Sequence, residues 1–317
     1  MTPAQLFLQR TIDGLSNGAL YGSLALALVV VYQASGRLNL AQGEMGTFGT
    51  YLSLVLSSPA SPALAGTAFA AQWIPGAPFR LGVSIAVAVV LSALLAVLIE
   101  RLIVRRVSTR DVRSAVGVTI ALLLGMNSLV RRFWVSRSRG FASPFPNRPE
   151  DYVSLGGARL RYTTIGTWLT LLAVLGLLAL MVRRTKAGLA FRAVASNPDH
   201  ARLVGIRSGR VLSGAWALAA AIGTLVGCLL ASRLILDPNM LLRLITYSFA
   251  AATIGGLSSP GGALIGGLLV GVGQSMLAGY VGFIGSTMTV PATVVIMVAV
   301  LCIRPAGLFG VRRTVRS

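Results

Sequence analysis

Acidic residues are scarce in this chain. Of 317 residues only eight are Asp or Glu, against 27 Arg and a single Lys, and one His and two Cys complete the reactive side chains. Charged residues make up 11% of the sequence, well below the roughly 25% of soluble domains. Each scarcity excludes a class. Cys228 and Cys302 both lie in apolar stretches, have no metal-ligand spacing and form no disulfide framework, so they read as small buried hydrophobes. The lone His200 has no HExxH or GxSxG around it. Lys186 follows Arg-Arg-Thr rather than a glycine loop, so there is no Walker A motif and the chain cannot itself hydrolyse ATP. No nucleophile–base pair or ligand set remains for an intramembrane enzyme, and no metal or cofactor is expected. A net charge of +20 would suggest nucleic acid in a soluble protein. Here the arginines sit almost wholly between apolar runs, without an aromatic-basic pattern, and read as signals of topology and of partners.

What is abundant is uncharged, apolar sequence. Residues 14–36, 45–79, 81–99, 114–130, 162–182, 211–232 and 244–303 contain no Asp, Glu, Lys or Arg. A bilayer core takes about 20 residues of helix. The last run has 60 residues, about 90 Å as helix, enough for up to three crossings. Spans are expected at about 8–33, 38–58, 81–100, 114–133, 162–182, 211–232 and 288–303. Near the middle of the last run, Gly255-Gly256-Leu257-Ser258-Ser259-Pro260-Gly261-Gly262 cannot continue a helix. The expected fold is therefore all-α: a polytopic integral membrane protein of about eight transmembrane helices, with a broken or half-helix pair near 247–279. It is read as a single transmembrane domain over 1–317. A Pro-rich segment at 57–79 is expected to be loop with at most a short helix, and Gly156-Gly157 marks a hairpin within the long loop 134–161. The first apolar stretch does not read as a cleaved signal peptide, because Asp13, Ser16 and Asn17 precede it.

Arginines fix a direction. Segments 101–113, 183–210 and the tail are basic and are expected in the cytoplasm, with the C-terminus. The loop 134–161 then falls outside, although seven arginines between 131 and 161 face only Glu150 and Asp151. Those arginines are expected to meet an acidic external partner.

Within the basic loop 183–210, Asn197 and Pro198 form an N-cap and first helical residue, and Gly205 stands where a stop belongs. A helix this short is marginal alone, so it is expected to dock against another protein, with Ala201 and Val204 on its apolar side. Glu44 is the acid that enters a span. It reads either as a surface carboxylate paired with Arg37 or as a group that orients or gates a pathway. Glycines four apart (Gly14, Gly18 and Gly22; Gly223 and Gly227; Gly262 and Gly266; Gly267 and Gly271) mark close helix packing within one subunit or at a moving interface.

Four stretches resemble the permease subunit of branched-chain amino acid ABC importers, the Liv type in its H-like form. They are Ile12-Asp13-Gly14-Leu15 with Gly18 and Tyr21; Leu38 to Met45, against the family's Asn-Phe-Ala-His-Gly-Glu; Arg184 to Ile206; and Ile254 to Gly267 with Arg304 to Gly310. The resemblance implies a permease in a prokaryotic inner membrane, moving branched-chain amino acids or a similar small polar solute. It implies a second homologous permease subunit, two cytoplasmic ATP-binding subunits and an external solute-binding protein, with ATP bound by the partners. It places the coupling helix at Asp199, His200, Ala201, Val204 and Gly205. Pathway candidates are Asn39, Gln42, Gly43, Glu44, Gly255, Gly256, Pro260, Gly261 and Gly262. Docking candidates for the binding protein are Arg137, Arg139, Arg148, Arg159 and Arg161. Gln42 departs from the family's His and cannot carry a proton. A stand-alone secondary carrier or channel is the rival reading, and neighbouring genes for ATPases would discriminate.

Overall fold

In the computed structural model the described residues are 2–57, 81–107, 112–134, 140–280 and 288–310. The Pro-rich expectation at 57–79 falls almost wholly outside them, as do Arg137, Arg139 and the arginines of the tail. The helices are α1 (Pro3–Ser35), α2 (Gln42–Ser57), α3 (Leu81–Ile99), α4 (Val112–Trp134), α5 (Tyr162–Arg184), α6 (Lys186–Ser196), α7 (Pro198–Leu203), α8 (Ser208–Ala231), α9 (Met240–Gly255), α10 (Pro260–Tyr280) and α11 (Thr289–Ile303). α3 runs on through a π turn, Glu100–Val104, and a last α turn, Arg105–Val107. Six described helices are long and apolar enough to cross a membrane; α9 and α11 are apolar but shorter. The expected count of about eight is reached only if such shorter helices are included.

The chain folds as two compact units. The first comprises residues 1–33, 145–185 and 244–317; the second comprises 34–144 and 186–243.

In the first unit α1 and α10 run antiparallel, backbone against backbone. A Cβ on Gly18 would stand 2.8 Å from the Gly267 carbonyl oxygen, and one on Gly14 would stand 2.7 Å from Cα of Val272. The four-residue glycine spacing is thus spent on packing within one chain. Tyr21 donates to Gln274 Oε1 at 2.6 Å and stacks on Tyr247 with ring centres 4.9 Å apart. The loop before α5 forms a two-stranded antiparallel hairpin, β1 (Tyr152–Leu155) and β2 (Ala158–Arg161), turned by Gly156-Gly157. Gln9 of α1 clips β2, accepting from the Arg159 amide at 2.7 Å and donating to its carbonyl at 3.3 Å.

The break in the long apolar run falls at Gly256, whose φ of +100° suits only glycine. Ser259 caps the next helix by accepting from the Gly262 amide at 3.0 Å, with Pro260 as first helical residue. The two helices differ from the expected half-length pair. α9 has 16 residues and α10 has 21, a full crossing length. α9 starts before Arg243, which pairs with Asp237 at 3.3 Å instead of bounding the helix, so it is longer than the apolar run from 244 alone would make it. Orphan carbonyls at the end of α9 are met by the segment after α11: Leu308 and Phe309 donate to Ile254 and Gly255 at 2.7 and 3.2 Å.

In the second unit α2 is the core. Twelve of its 16 residues are buried, and its small residues allow neighbours to close in. Gly46 lies on Gly223 of α8, and Gly49 lies against Thr224 and Ser92. Thr224 donates to Ser92 Oγ at 2.8 Å, joining α8 to α3.

Candidate functional site

The short helix α7 is built as its sequence requires. Asn197 is extended, and its side chain accepts from the amides of Asp199 and His200 at 3.0 and 3.1 Å. At the other end Gly205 takes a φ of +82°. Its amide donates to Arg202 and that of Ile206 to Ala201, both at 3.0 Å, which is the Schellman closure. Asp199 and His200 are exposed, and the Asp199–Arg202 pair at 3.5 Å is solvated and contributes little.

The apolar side of α7 is not the expected one. Ala201 is 3% exposed and turned into its own chain, whereas Leu203 is 84% and Val204 75% exposed. The pairing of Ala201 with Val204 fails because α7 ends at Leu203, and Val204 already leaves the helical path with ψ of 17°. The apolar group available to a partner is Leu203 with Val204.

Asn39, Gln42 and Glu44 come together in the second unit and are all at most 1% exposed. Asn39 accepts from the Ala41 amide at 3.1 Å and donates to Gln42 Oε1 at 3.3 Å. Gln42 in turn donates to the main-chain carbonyl of Ala219 at 2.6 Å. Ala219 is the midpoint of α8, so α2 starts halfway along a full-length span. The surface-carboxylate reading of Glu44 is therefore corrected. Glu44 Oε2 accepts from Asn127 Nδ2 at 3.1 Å rather than pairing with Arg37, and Oε1 is buried with no partner among the described residues. Arg131 donates to Asn127 Oδ1 at 2.7 Å and to Asn239 Oδ1 at 3.0 Å. The result is a polar line from a buried carboxylate to an exposed guanidinium. Asn127, Arg131 and Asn239 were not legible as a set, because they come from α4 and from the turn before α9.

The glycines Gly255, Gly256 and Gly262 are buried in backbone packing. A Cβ on Gly255 would strike the Gly262 carbonyl, and one on Gly256 would stand 2.7 Å from the Gly310 amide nitrogen. Their geometry is that of a joint. Gly43 is buried, Pro260 half-buried and Gly261 exposed. Arg148, Arg159 and Arg161 are all exposed. Arg159 and Arg161 share one face of β2, and Arg159 lies 5.1 Å over the ring of Tyr152.

A second buried carboxylate was not anticipated as a centre. Glu100 is fully buried and takes both prongs of Arg105, Nε to Oε1 and Nη2 to Oε2, each at 2.9 Å. Ser213 of α8 donates to Glu100 Oε2 at 2.6 Å, and Arg105 Nη2 reaches the Gly209 carbonyl at 2.6 Å. Residues five apart on an α-helix point about 140° away from each other, so the sequence hides this pair. The π turn closes its main-chain bond from Arg105 to Glu100 and brings the two side chains onto one face.

The family model for the branched-chain amino acid transport system, permease component, matches residues 10–303. The chain belongs to this family of permeases. The permease is 26% identical over 310 residues to the high-affinity branched-chain amino acid transport permease protein BraD of Pseudomonas aeruginosa, covering 96% of each chain. It is 27% identical over 314 residues to LivH of Salmonella typhimurium, again over 96% of each. A probable LivH of Methanocaldococcus jannaschii is 27% identical over 295 residues, 91% of the permease and 88% of that protein. No solved structure matches it. The permease is thus a multi-pass membrane protein, and its similarity to these relatives runs through both compact units.

Proposed function

We propose that the permease is the membrane subunit of an ATP-driven importer for branched-chain amino acids or a similar small polar solute. In this reading it pairs with a second homologous permease subunit, two ATP-binding subunits on the cytoplasmic side and an external binding protein. ATP is bound by the partners. The observation that carries the reading is α7: a helix of six residues, capped at both ends, with Leu203 and Val204 presented to solvent. Helices this short hold little stability of their own, and an exposed apolar pair on a capped turn suits insertion into a partner's groove. Segments 101–113, 183–210 and the tail lie in the cytoplasm, the loop 134–161 lies outside, and the membrane is the prokaryotic inner membrane. The interior group Asn39, Gln42 and Glu44 borders the pathway, and the joint at Gly255–Gly262 is a second, separate candidate for pathway architecture.

The deciding experiment is co-purification of the tagged permease with the ATPases of its locus. Leu203→Glu with Val204→Glu will retain the folded permease and lose the ATPases. Ala201→Arg is expected to damage the permease itself, because position 201 is buried. Retention of the ATPases by the double variant would move the docking site elsewhere. No association even in wild type would favour a stand-alone carrier.

On the outer side, Arg148, Arg159 and Arg161 dock acidic residues of the binding protein. Reversal of Arg159 and Arg161 to Glu will weaken binding-protein capture and flatten its fall with added salt, since the attraction that salt screens, over about 10 Å at 0.1 M, is no longer there. Transport equal to wild type would exclude these arginines.

A further inference from the structure

Two costly features coincide where α3 ends. One is a π turn, an irregularity that recurs at functional positions. The other is an ion pair whose carboxylate, Glu100, is fully buried while the Arg105 side chain is 40% exposed; taking such a carboxylate out of water carries a desolvation cost that the pair must offset. Together they join two spans. Glu100 and Arg105 belong to the end of α3, while Gly209 and Ser213 belong to the first turns of α8. The Ser213 hydroxyl donates a hydrogen bond to Glu100, and Gly209 leaves room for the guanidinium, since a Cβ there would stand 3.0 Å from Arg105 Nη1. Arg101 reaches Ser213 Oγ at 3.5 Å from the same turn. α8 starts only four residues after Val204, so the latch sits directly behind α7. From it, α8 and α3 run together to the Thr224–Ser92 bond, and α8 reaches the buried group at Gln42 through Ala219.

We propose that Glu100, Arg105 and Ser213 form a positioning latch that makes the start of α8 and the end of α3 move as one lever. Displacement of α7 by the ATPases is thereby delivered to the α2 group instead of being absorbed by slippage between two spans. A hydrophobic contact would hold these helices together, but it would let them slide. A bidentate pair with a serine donor and a carbonyl acceptor fixes their register. The inference rests on the ATP-driven reading above.

The test uses the whole complex in proteoliposomes. Spin labels at Val107→Cys and Gly214→Cys, both exposed positions, in a Cys302→Ser background report the distance from the end of α3 to α8. In wild type this distance is the same in the nucleotide-free and ATP-trapped states. A change approaching one helical turn, about 5 Å, would overturn the latch. The double variant Glu100→Leu with Arg105→Met keeps volume without charge. It is expected to bind the ATPases and hydrolyse ATP while leucine imported per ATP falls about tenfold. An assembled double variant with a wild-type ratio would show the pair to be structural only. If wild type itself recruits no ATPase, the ATP-driven reading fails, and the label distance with and without leucine in the vesicles still decides the latch.

Discussion

Substitution of Gly267 by leucine will prevent the first unit from packing, while the same substitution at Gly273, six residues along α10, will be tolerated. The contrast follows from what each Cβ meets. At Gly267 it strikes Cα and N of Gly22 and the carbonyl oxygen of Gly18, all of them backbone. A side chain can rotate away, but a backbone cannot, so α1 and α10 must separate along their length. Overpacking a core costs about 1–3 kcal/mol where side chains can adjust, and the cost here is at the upper end or beyond. Separation also breaks the Tyr21–Gln274 bond and the Tyr21–Tyr247 stack. At Gly273 no described residue lies within 4 Å of an added Cβ, and exchanging an interior helical glycine for leucine gains up to about 1 kcal/mol of helix propensity. Fluorescence-detected size-exclusion chromatography with a thermal ramp separates the two. A monodisperse Gly267→Leu peak of wild-type height would refute the account of this interface.

The same glycines show what sequence could and could not reveal. Their spacing marks a helix pair that approaches closely, because small residues four apart have few other uses in an apolar run. It does not name the partner. Gly14, Gly18 and Gly22 meet α10, Gly223 meets α2, and Gly262 and Gly266 meet α9, so each interface is internal. The caps of α7 were legible for a related reason: Asn-Pro and Gly, at their spacing, answer to local backbone geometry alone. Which side of α7 stays exposed depends on α6 and α8, and helical spacing assigned Ala201 to the wrong side. The pair Glu100 and Arg105 was hidden most completely. Its spacing of five is meaningless on an α-helix and becomes a bidentate contact only in a π turn. The depth of α2 was hidden as well, because a helix that starts against the middle of α8 has the same apolar composition as one that starts at its end.

Replacing Glu44 by glutamine will leave the permease folded and reduce its transport. Glutamine has the shape of glutamate and can still accept from Asn127 through its carbonyl oxygen, so the 3.1 Å bond survives. Asn127 also keeps its contacts to Pro238 and Asn239 at 3.4 and 3.3 Å. What disappears is the charge of a carboxylate, one of whose oxygens is buried without a partner among the described residues. An ionisable side chain held this way inside a bundle of spans is expensive and is normally retained for function. Removing its charge should ease folding if anything, and a rise in thermal midpoint is the expected sign. Import in the assembled complex is expected to fall roughly tenfold or more, equivalent to about 1.4 kcal/mol on the limiting step. Asn127→Leu acts in the opposite sense on stability. It strips the carboxylate of its donor, which costs on the order of 1–3 kcal/mol, so it should lower the thermal midpoint and transport together. A permease carrying Glu44→Gln that is more stable and fully active would make Glu44 a packing residue. One that is more stable and inactive would place the charge in the transport cycle, with Asn127 as the group that holds it and Arg131 as the group that orients Asn127.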